Sequence, residues 1–535
     1  MRKIKIAAIL MAMALMLSTL LCGCTAQTES MSFASAPSAE YYEPMYDMAM
    51  DTEAGDVAEP DWNTEEYNYI KENDFKAVAT SPLSTFSADV DTASYANLRR
   101  MINQGRSVDP GAVRIEEMLN YFYYDLPQPE GDEPFSVTYE LSDCPWNEST
   151  KLLMIGLQAK KLAAEELPPS NLVFLVDVSG SMSSANKLPL VQQAFRMLTE
   201  QLKPEDRISI VTYASGDTVL LEGAAGSEGV EIMAAVDSLT AGGGTAGAQG
   251  IETAYKIAEE NFIEGGNNRV ILATDGDLNI GISSESQLTR LIEKKRESGV
   301  YLSVLGFGTG NIKDNKMEAL ADNGNGNYYY IDTVSEARKV LIEEMGGTLF
   351  TVAKDVKLQV AFNPAQIKGY RLIGYENRVM AAEDFNDDTK DAGEIGAGHR
   401  VIALYEIVDK DSDYEIAIPD AIYTQNGDTG SDELLTLSIR YKQPEATESL
   451  LLQYPMGSEI YRPEMSDNMT FAAAVAETGM LLRESRYSGT ATYDSAAELI
   501  RSIDGVIDDE YKVDFLSLVN KLHENPEIST DISHE

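Results

Sequence analysis

Three short runs carry the oxygens that a hard divalent cation accepts: Asp177-Val178-Ser179-Gly180-Ser181, Gly243-Gly244-Thr245 and Thr274-Asp275-Gly276. Mg2+ takes about six oxygens at about 2.0 to 2.1 Å in octahedral array, usually one or two carboxylates with hydroxyls and water. Asp177 and Asp275 offer the carboxylates, and Ser179, Ser181 and Thr245 the hydroxyls. Asp, Ser, Gly and Thr are also common turn and N-cap residues, so any one run alone reads as a strand-to-helix turn. Three runs in this order read as a metal site.

The elements that must position these loops alternate along the chain. Leu172 to Val176 is a continuous apolar run, as a strand covered on both faces requires. Leu188, Val191, Phe195, Leu198 and Leu202 then form a helical stripe. Ile208 to Tyr213, Val270 to Ala273, Val300 to Leu305 and Tyr328 to Ile331 continue the strands, with helices between and a last one near Ser335 to Met345. The pattern predicts an α/β fold with a doubly wound, mostly parallel sheet, in which ligands bind at the carboxyl ends of the strands. Loops about 30 to 70 residues apart can meet there on one ion. Gly242-x-Gly244-x-x-Gly247 formally matches a dinucleotide fingerprint, but that motif needs a preceding strand, and Val230 to Leu239 has helical spacing. With no P-loop pattern either, no nucleotide is expected.

Residues 169 to 346 resemble a von Willebrand factor A (VWA) domain, a Rossmann-like fold, and the three runs match its metal-ion-dependent adhesion site. The resemblance implies Mg2+ or Mn2+ as cofactor. Ser179, Ser181 and Thr245 would bind through hydroxyls, Asp177 and Asp275 directly or through water, and a partner's carboxylate would take the sixth position. Ser183 and Ser184 follow Met182 where integrins have two acidic residues, so the adjacent regulatory cation site of integrins is not implied.

Alternating strands flank this region. Phe135, Val137, Tyr139 and Leu141 precede it with Leu153, Ile155 and Leu157; Val356, Leu358, Val360 and Phe362 follow it with Leu435, Leu437, Ile439 and Tyr441. Neither flank has many strands alone, so strands from both sides are expected to pair into one antiparallel β-sandwich around the inserted domain. Asp91 or Thr92 is expected to cap a helix through Gln104, and Asp109-Pro110 to open another running to about Tyr123. Asp89-Val90-Asp91-Thr92 departs from an aspartyl phosphatase signature at Ala93, and Phe86-Ser87-Ala88 makes a poor strand before it. Asp384-x-Asn386-x-Asp388 has Thr389 where a calcium loop needs Gly and Ile395 where it needs Glu. It reads as a solvated hairpin turn, with calcium the alternative. After residue 446 the chain reads as helical, with Phe471, Val475 and Met480, then Ala496 to Ile503, then Val513, Leu516, Val519 and Leu522 on core-facing sides.

The first residues have the pattern of an export signal. Arg2, Lys3 and Lys5 precede an apolar stretch from Ala7 to Leu21 that is short for a membrane span. Leu21-Cys22-Gly23-Cys24 resembles a bacterial lipobox, which implies lipidation of Cys24 as the mature N-terminus and a lipid-anchored place on the extracytoplasmic face of a bacterial membrane. Residues 1 to 23 are then a signal peptide, and 24 to 75 an acidic tether without periodicity. At roughly 50 residues it would reach on the order of 40 Å. Of three cysteines only Cys144 remains in the folded part, so no disulfide joins folded segments, and a buried structural thiol is expected. The formal charge of −45 over 535 residues argues against nucleic acid and anionic lipid as electrostatic partners.

The organisation expected is therefore signal peptide, tether, an N-terminal segment of helices and strands at 76 to 168, the metal-binding domain at 169 to 346, a β-rich domain at 347 to 445 and a helical region at 446 to 535. Pro82-Leu83-Ser84-Thr85-Phe86, Cys144-Pro145-Trp146-Asn147 and Leu372-Ile373-Gly374-Tyr375-Glu376-Asn377 resemble a bacterial family of adhesion-site lipoproteins. The function expected is a membrane-anchored adhesion protein of the cell envelope whose bound Mg2+ captures an acidic residue of a protein partner. The alternatives are an assembly subunit of an envelope complex or a metal-dependent hydrolase. Hydrolysis wants a base beside the ion, and none of the three histidines, His399, His523 and His534, lies near the three runs in sequence. No enzyme activity is expected.

Overall fold

The computed structural model describes residues 64–163, 166–244, 247–276, 285–344, 350–390, 392–416, 430–444 and 446–528. Cys24, Thr245 and the leader and tether before residue 64 lie outside them. The N-terminal flank runs β1 (Lys76–Ala77), β2 (Leu83–Ser87), α1 (Ala93–Asn103), α2 (Ile115–Asn120), β3 (Phe135–Asp143) and β4 (Lys151–Ala159).

Three local expectations fail here. Leu83–Ser87 is a strand because Phe86 is fully buried opposite Leu358, a pairing partner some 270 residues away that local pattern does not reveal. Asp109 caps only a 3-10 turn at Pro110–Ala112, accepting from the Gly111 N–H, and the helix restarts at Ile115. Neither Asp91 nor Thr92 caps α1 through its side chain. Asp91 instead accepts from the Tyr328 N–H at 2.9 Å, while Arg378 lies 3.2 Å from Asp89 and 3.5 Å from Asp91. Asp89 keeps the local Asp91 N–H at 3.0 Å, whereas Asp91 turns to Tyr328 and Arg378, both remote in the chain, so its helix goes uncapped.

The inserted domain contains β5 (Ser170–Asp177), α3 (Leu188–Thr199), β6 (Arg207–Tyr213), β7 (Asp217–Ala225), α4 (Gly229–Ser238) and α5 (Gly247–Glu260). It continues with β8 (Asn267–Thr274), α6 (Glu285–Arg296), β9 (Tyr301–Phe307), α7 (Asp314–Asn323), β10 (Tyr328–Ile331) and α8 (Val334–Arg338). Lys339–Glu344 continues α8 as a π-helical turn. The sheet order is β10-β9-β8-β5-β6-β7, parallel except for the edge strand β7. Alternation along β5 feeds two cores. Leu172, Phe174 and Val176 pack with α3 and α4, whereas Val173 and Leu175 pack with Ile251 and Tyr255 of α5. From β5 the chain first winds outward through β6 and then returns to place β8 on the other side, so the order reverses at β5. A crevice opens at such a switch point beyond the strand ends.

The C-terminal flank adds β11 (Thr351–Phe362), β12 (Ile367–Ile373), β13 (Gly393–Gly396), β14 (Arg400–Asp409), β15 (Leu435–Lys442) and β16 (Ser449–Met456), then α9 (Asp467–Leu482), α10 (Tyr493–Arg501) and α11 (Glu510–Glu524). β16 pairs with β15, so the β-rich part runs past 445 and the helices begin only at Asp467, not at 446. Strands of both flanks pair: β4 with β14 in a sheet β1-β12-β14-β4-β3, and β2 with β11 in a sheet that also holds β13, β15 and β16. The doubly wound domain is thus inserted in a sandwich of flanking strands. The detail differs from the simplest expectation, since β11 and β15 face β3 and β4 across a shared core instead of joining their sheet. β4 is buried on both faces because Leu152 and Met154 point away from the sandwich core into a helical layer of α1, α2, α9, α10 and α11.

That layer contains a buried acid. Burial pushes the Glu477 carboxyl of α9 up to about 7, against a hydrogen bond from the Ser495 hydroxyl of α10 at 2.8 Å. Its ordinary value is 4.5, so its stabilising contribution is complete below about pH 4.5 and lost as pH rises through about 7. The penalty at pH 8 is about 3 kcal/mol. Glu477→Gln is expected to raise unfolding free energy by about 2 to 3 kcal/mol at pH 8 and by less than about 0.5 kcal/mol at pH 4.5. Urea titrations of both proteins at the two pH values check this.

Candidate metal centre

Asp177 ends β5, and Asp275 follows β8 by one residue, so the two carboxylates flank the switch point. A tight turn after β5 aims its donors. The Ser179 N–H donates to Asp177 Oδ1 at 2.8 Å, and the Ser179 and Ser181 hydroxyl oxygens lie 2.9 Å apart. The Gly180 N–H donates to the Gly243 carbonyl at 3.1 Å, and the Gly242 N–H to the Val178 carbonyl at 2.7 Å, which brings the second run against the first. Gly243 sits at φ +86°, where a Cβ would meet the Ser215 hydroxyl at 2.9 Å, and that hydroxyl accepts from the Gly244 N–H at 2.9 Å. Gly276, at φ +94°, presses on Asn311 and Lys313, where a Cβ would come within 2.9 Å of their backbone. Glycine is required at both places by conformation and by space.

Asp177 is fully buried, Ser179 and Asp275 nearly so, and Gly180 and Ser181 are exposed. The carboxylates and Ser179 form the floor and Ser181 the mouth. Asp177 Oδ2 is buried without a well-formed hydrogen bond among the described residues, and the Tyr213 hydroxyl is the side-chain donor near that carboxylate. Burial pushes the Asp177 carboxyl up to about 6, with the Asp275 carboxylate adding to the rise and the Ser179 N–H and hydroxyl opposing it. A carboxylate oxygen so poorly satisfied in the interior costs about 1 to 3 kcal/mol, and a cation relieves that cost. The donors are all oxygens, which suits Mg2+ or Mn2+ over softer metals. The site residues therefore fit a hard divalent ion.

Of the five residues expected at the site, four are described and converge; Thr245 lies outside the described residues, one position beyond Gly244. The sequence reading missed Lys187, whose ammonium donates to Asp275 Oδ2 at 2.8 Å, and Ser215, which braces the glycine run. A single cation only six residues after Ser181, in a strongly acidic chain, was the available signal for Lys187. The other candidates fall elsewhere. Cys144 is buried with its thiol pushed up by burial and by Glu406. His399 is half-buried in a turn of the sandwich, its imidazole held down at about 3 chiefly by desolvation. The acidic stretch is not the hairpin turn expected but a 3-10 turn at Ala382–Asn386 between strands of different sheets. There Arg440 and Ser449 hold Asp388, and Lys357 caps the Asp384 and Asp387 carbonyls, so protein cations occupy the segment weighed as a calcium loop.

Comparison with known proteins follows the same division. The family models "von Willebrand factor", "von Willebrand factor type A domain" and "Uncharacterized protein YfbK, C-terminal" match residues 61–154, 171–343 and 347–524. The chain is 44% identical over 487 residues to "Uncharacterized protein YfbK" of Escherichia coli, covering 89% of this chain and 84% of that one. The chain belongs to the YfbK family. Inter-alpha-trypsin inhibitor heavy chain H3 of Pongo abelii is 28% identical over 41% of this YfbK-family chain and 26% of its own length. A solved von Willebrand factor type A protein from Catenulispora acidiphila aligns over 71% of this chain and 88% of its own, with 17% identity and a TM-score of 0.39. The YfbK-family chain thus carries a VWA domain, a fold typical of protein-interaction and adhesion domains.

Proposed function

We propose that this YfbK-family protein is a lipid-anchored adhesion protein of the cell envelope that captures an acidic side chain of a protein partner on a Mg2+ or Mn2+ ion held by Asp177, Ser179, Ser181, Thr245 and Asp275. The observation that carries the reading is the buried Asp177 oxygen without a well-formed hydrogen bond at the sheet's switch point, with the buried Ser179 and exposed Ser181 hydroxyls 2.9 Å apart beside it. A bound ion supplies an electrophilic centre for a carboxylate. The chain's own part is to bury the two acids and Ser179, hold Ser181 at the surface and keep the glycine run close. A ligand set rich in neutral hydroxyls leaves more of the ion's charge uncompensated for the partner. The test uses the purified protein as bait against an envelope extract, in Mg2+ and in EDTA. A partner retained only with Mg2+ is the expected result; equal capture in EDTA would refute it.

The anchor is a separate proposal resting on Leu21-Cys22-Gly23-Cys24. Cys24 carries the small residue Gly23 before it, whereas Cys22 follows two leucines. Metabolic labelling with a radioactive fatty acid is expected to mark the wild type and Cys22→Ala and to vanish in Cys24→Ala. Label persisting in Cys24→Ala would remove the anchor.

A further inference from the structure

Lys187 stands at the entrance to α3, buried, with its ammonium on Asp275 Oδ2 at 2.8 Å. The stem reaches that far because it lies across Gly308, after the end of β9. A Cβ at Gly308 would fall 2.3 Å from Lys187 Cε and 2.6 Å from Cγ, and Gly308 adopts φ +81°. The Gly308 carbonyl is in turn held by the Tyr330 hydroxyl. Space for this lysine is therefore built by a residue 121 positions away in the chain, and its charge is delivered to one of the two carboxylates at the adhesion site.

We infer that Lys187 is a fixed counter-charge that sets the electrostatics of the adhesion site: it weakens the hold on the divalent ion and leaves the loaded site positive for an anionic ligand. The two carboxylates and the ammonium together carry a single negative charge, so a divalent ion leaves the site with one positive charge. Without the ammonium the loaded site would be neutral. An ammonium a few ångströms from a divalent ion in a part-buried crevice repels it by enough to change affinity on the order of tenfold or more. The stronger electrophile is thereby obtained at the expense of metal affinity. The inference rests on the adhesion-site reading, because it needs the ion to bind beside Asp275.

Equilibrium binding of Mn2+ alone to the purified protein, followed by the free-ion electron paramagnetic resonance signal, tests it. Lys187→Met and Lys187→Gln are expected to bind Mn2+ about tenfold more tightly than wild type. Lys187→Arg, which keeps the charge, is expected to stay within about threefold of wild type. Circular dichroism identifies any variant that does not fold, and either neutral variant suffices. Unchanged or weaker Mn2+ binding in a folded neutral variant would overturn the inference, as would equal tightening in Lys187→Arg. If wild type binds no Mn2+ that the double variant Ser179→Ala, Ser181→Ala loses, the adhesion-site reading itself fails, a separate result.

Discussion

Asp177→Asn should abolish metal-dependent capture while leaving the fold intact. Asparagine is nearly isosteric and its amide oxygen still accepts the Ser179 N–H, the bond that shapes the turn after β5. What disappears is the negative charge on the buried carboxylate, whose Oδ2 makes no well-formed hydrogen bond. The melting temperature in EDTA should equal or exceed that of wild type, because a buried charged group without full compensation is removed. Metal affinity should fall on the order of 100-fold or more, since even outer-shell changes at metal sites cost about 10- to 100-fold. The double variant Ser179→Ala, Ser181→Ala should do the same from the hydroxyl side. Wild type in Mg2+ should also melt higher than in EDTA, by the equivalent of about 2.7 kcal/mol at an ion concentration 100 times the dissociation constant. Retained Mg2+-dependent capture by folded Asp177→Asn would show that the partner is bound elsewhere.

Glu406→Ala should destabilise the sandwich by about 3 to 5 kcal/mol. Glu406 of β14 is fully buried opposite Arg371 of β12, whose Nε donates to its Oε2 at 2.7 Å. Its other oxygen accepts from the Trp146 indole at 3.2 Å and the Thr150 hydroxyl at 3.3 Å. One carboxylate thus pins the Cys144-Pro145-Trp146-Asn147 turn to the paired strands of both flanks. Removing it strands the Arg371 guanidinium in the interior, which is what makes breaking a buried pair so much more costly than exchanging it. The double variant Glu406→Leu, Arg371→Met should accordingly recover much of the loss. Guanidinium denaturation followed by Trp146 fluorescence reads the effect at the affected turn. A loss under about 1 kcal/mol for Glu406→Ala would show that the pair is dispensable.

The candidate metal site was legible in the sequence because each of its parts is local. Asp177-x-Ser179-x-Ser181 shapes its own turn through one backbone hydrogen bond, Gly243 and Gly276 carry their own conformations, and each acid terminates an apolar run that announces its strand. The doubly wound order followed from the same alternation. Elements whose partners are remote in the chain were read less well. Leu83–Ser87 forms a strand only through β11, and Asp91 is claimed by Arg378 and Tyr328 rather than by its own helix. β7 shows little alternation because this edge strand is thinly covered on both faces: the consecutive Val219 and Leu220 are both exposed.

The sequence by itself determined the alternating domain, its family, the order of the three runs and the chemical type of the ligands, all of which depend on residue type and short spacing. The tertiary structure decided which strands of the two flanks share a sheet, which carboxylate pins Trp146, and that Lys187 reaches Asp275 across Gly308. Those outcomes depend on contacts between residues up to hundreds of positions apart. A buried charge settles on whichever partner the folded chain brings within hydrogen-bonding distance, and only the completed packing fixes that distance.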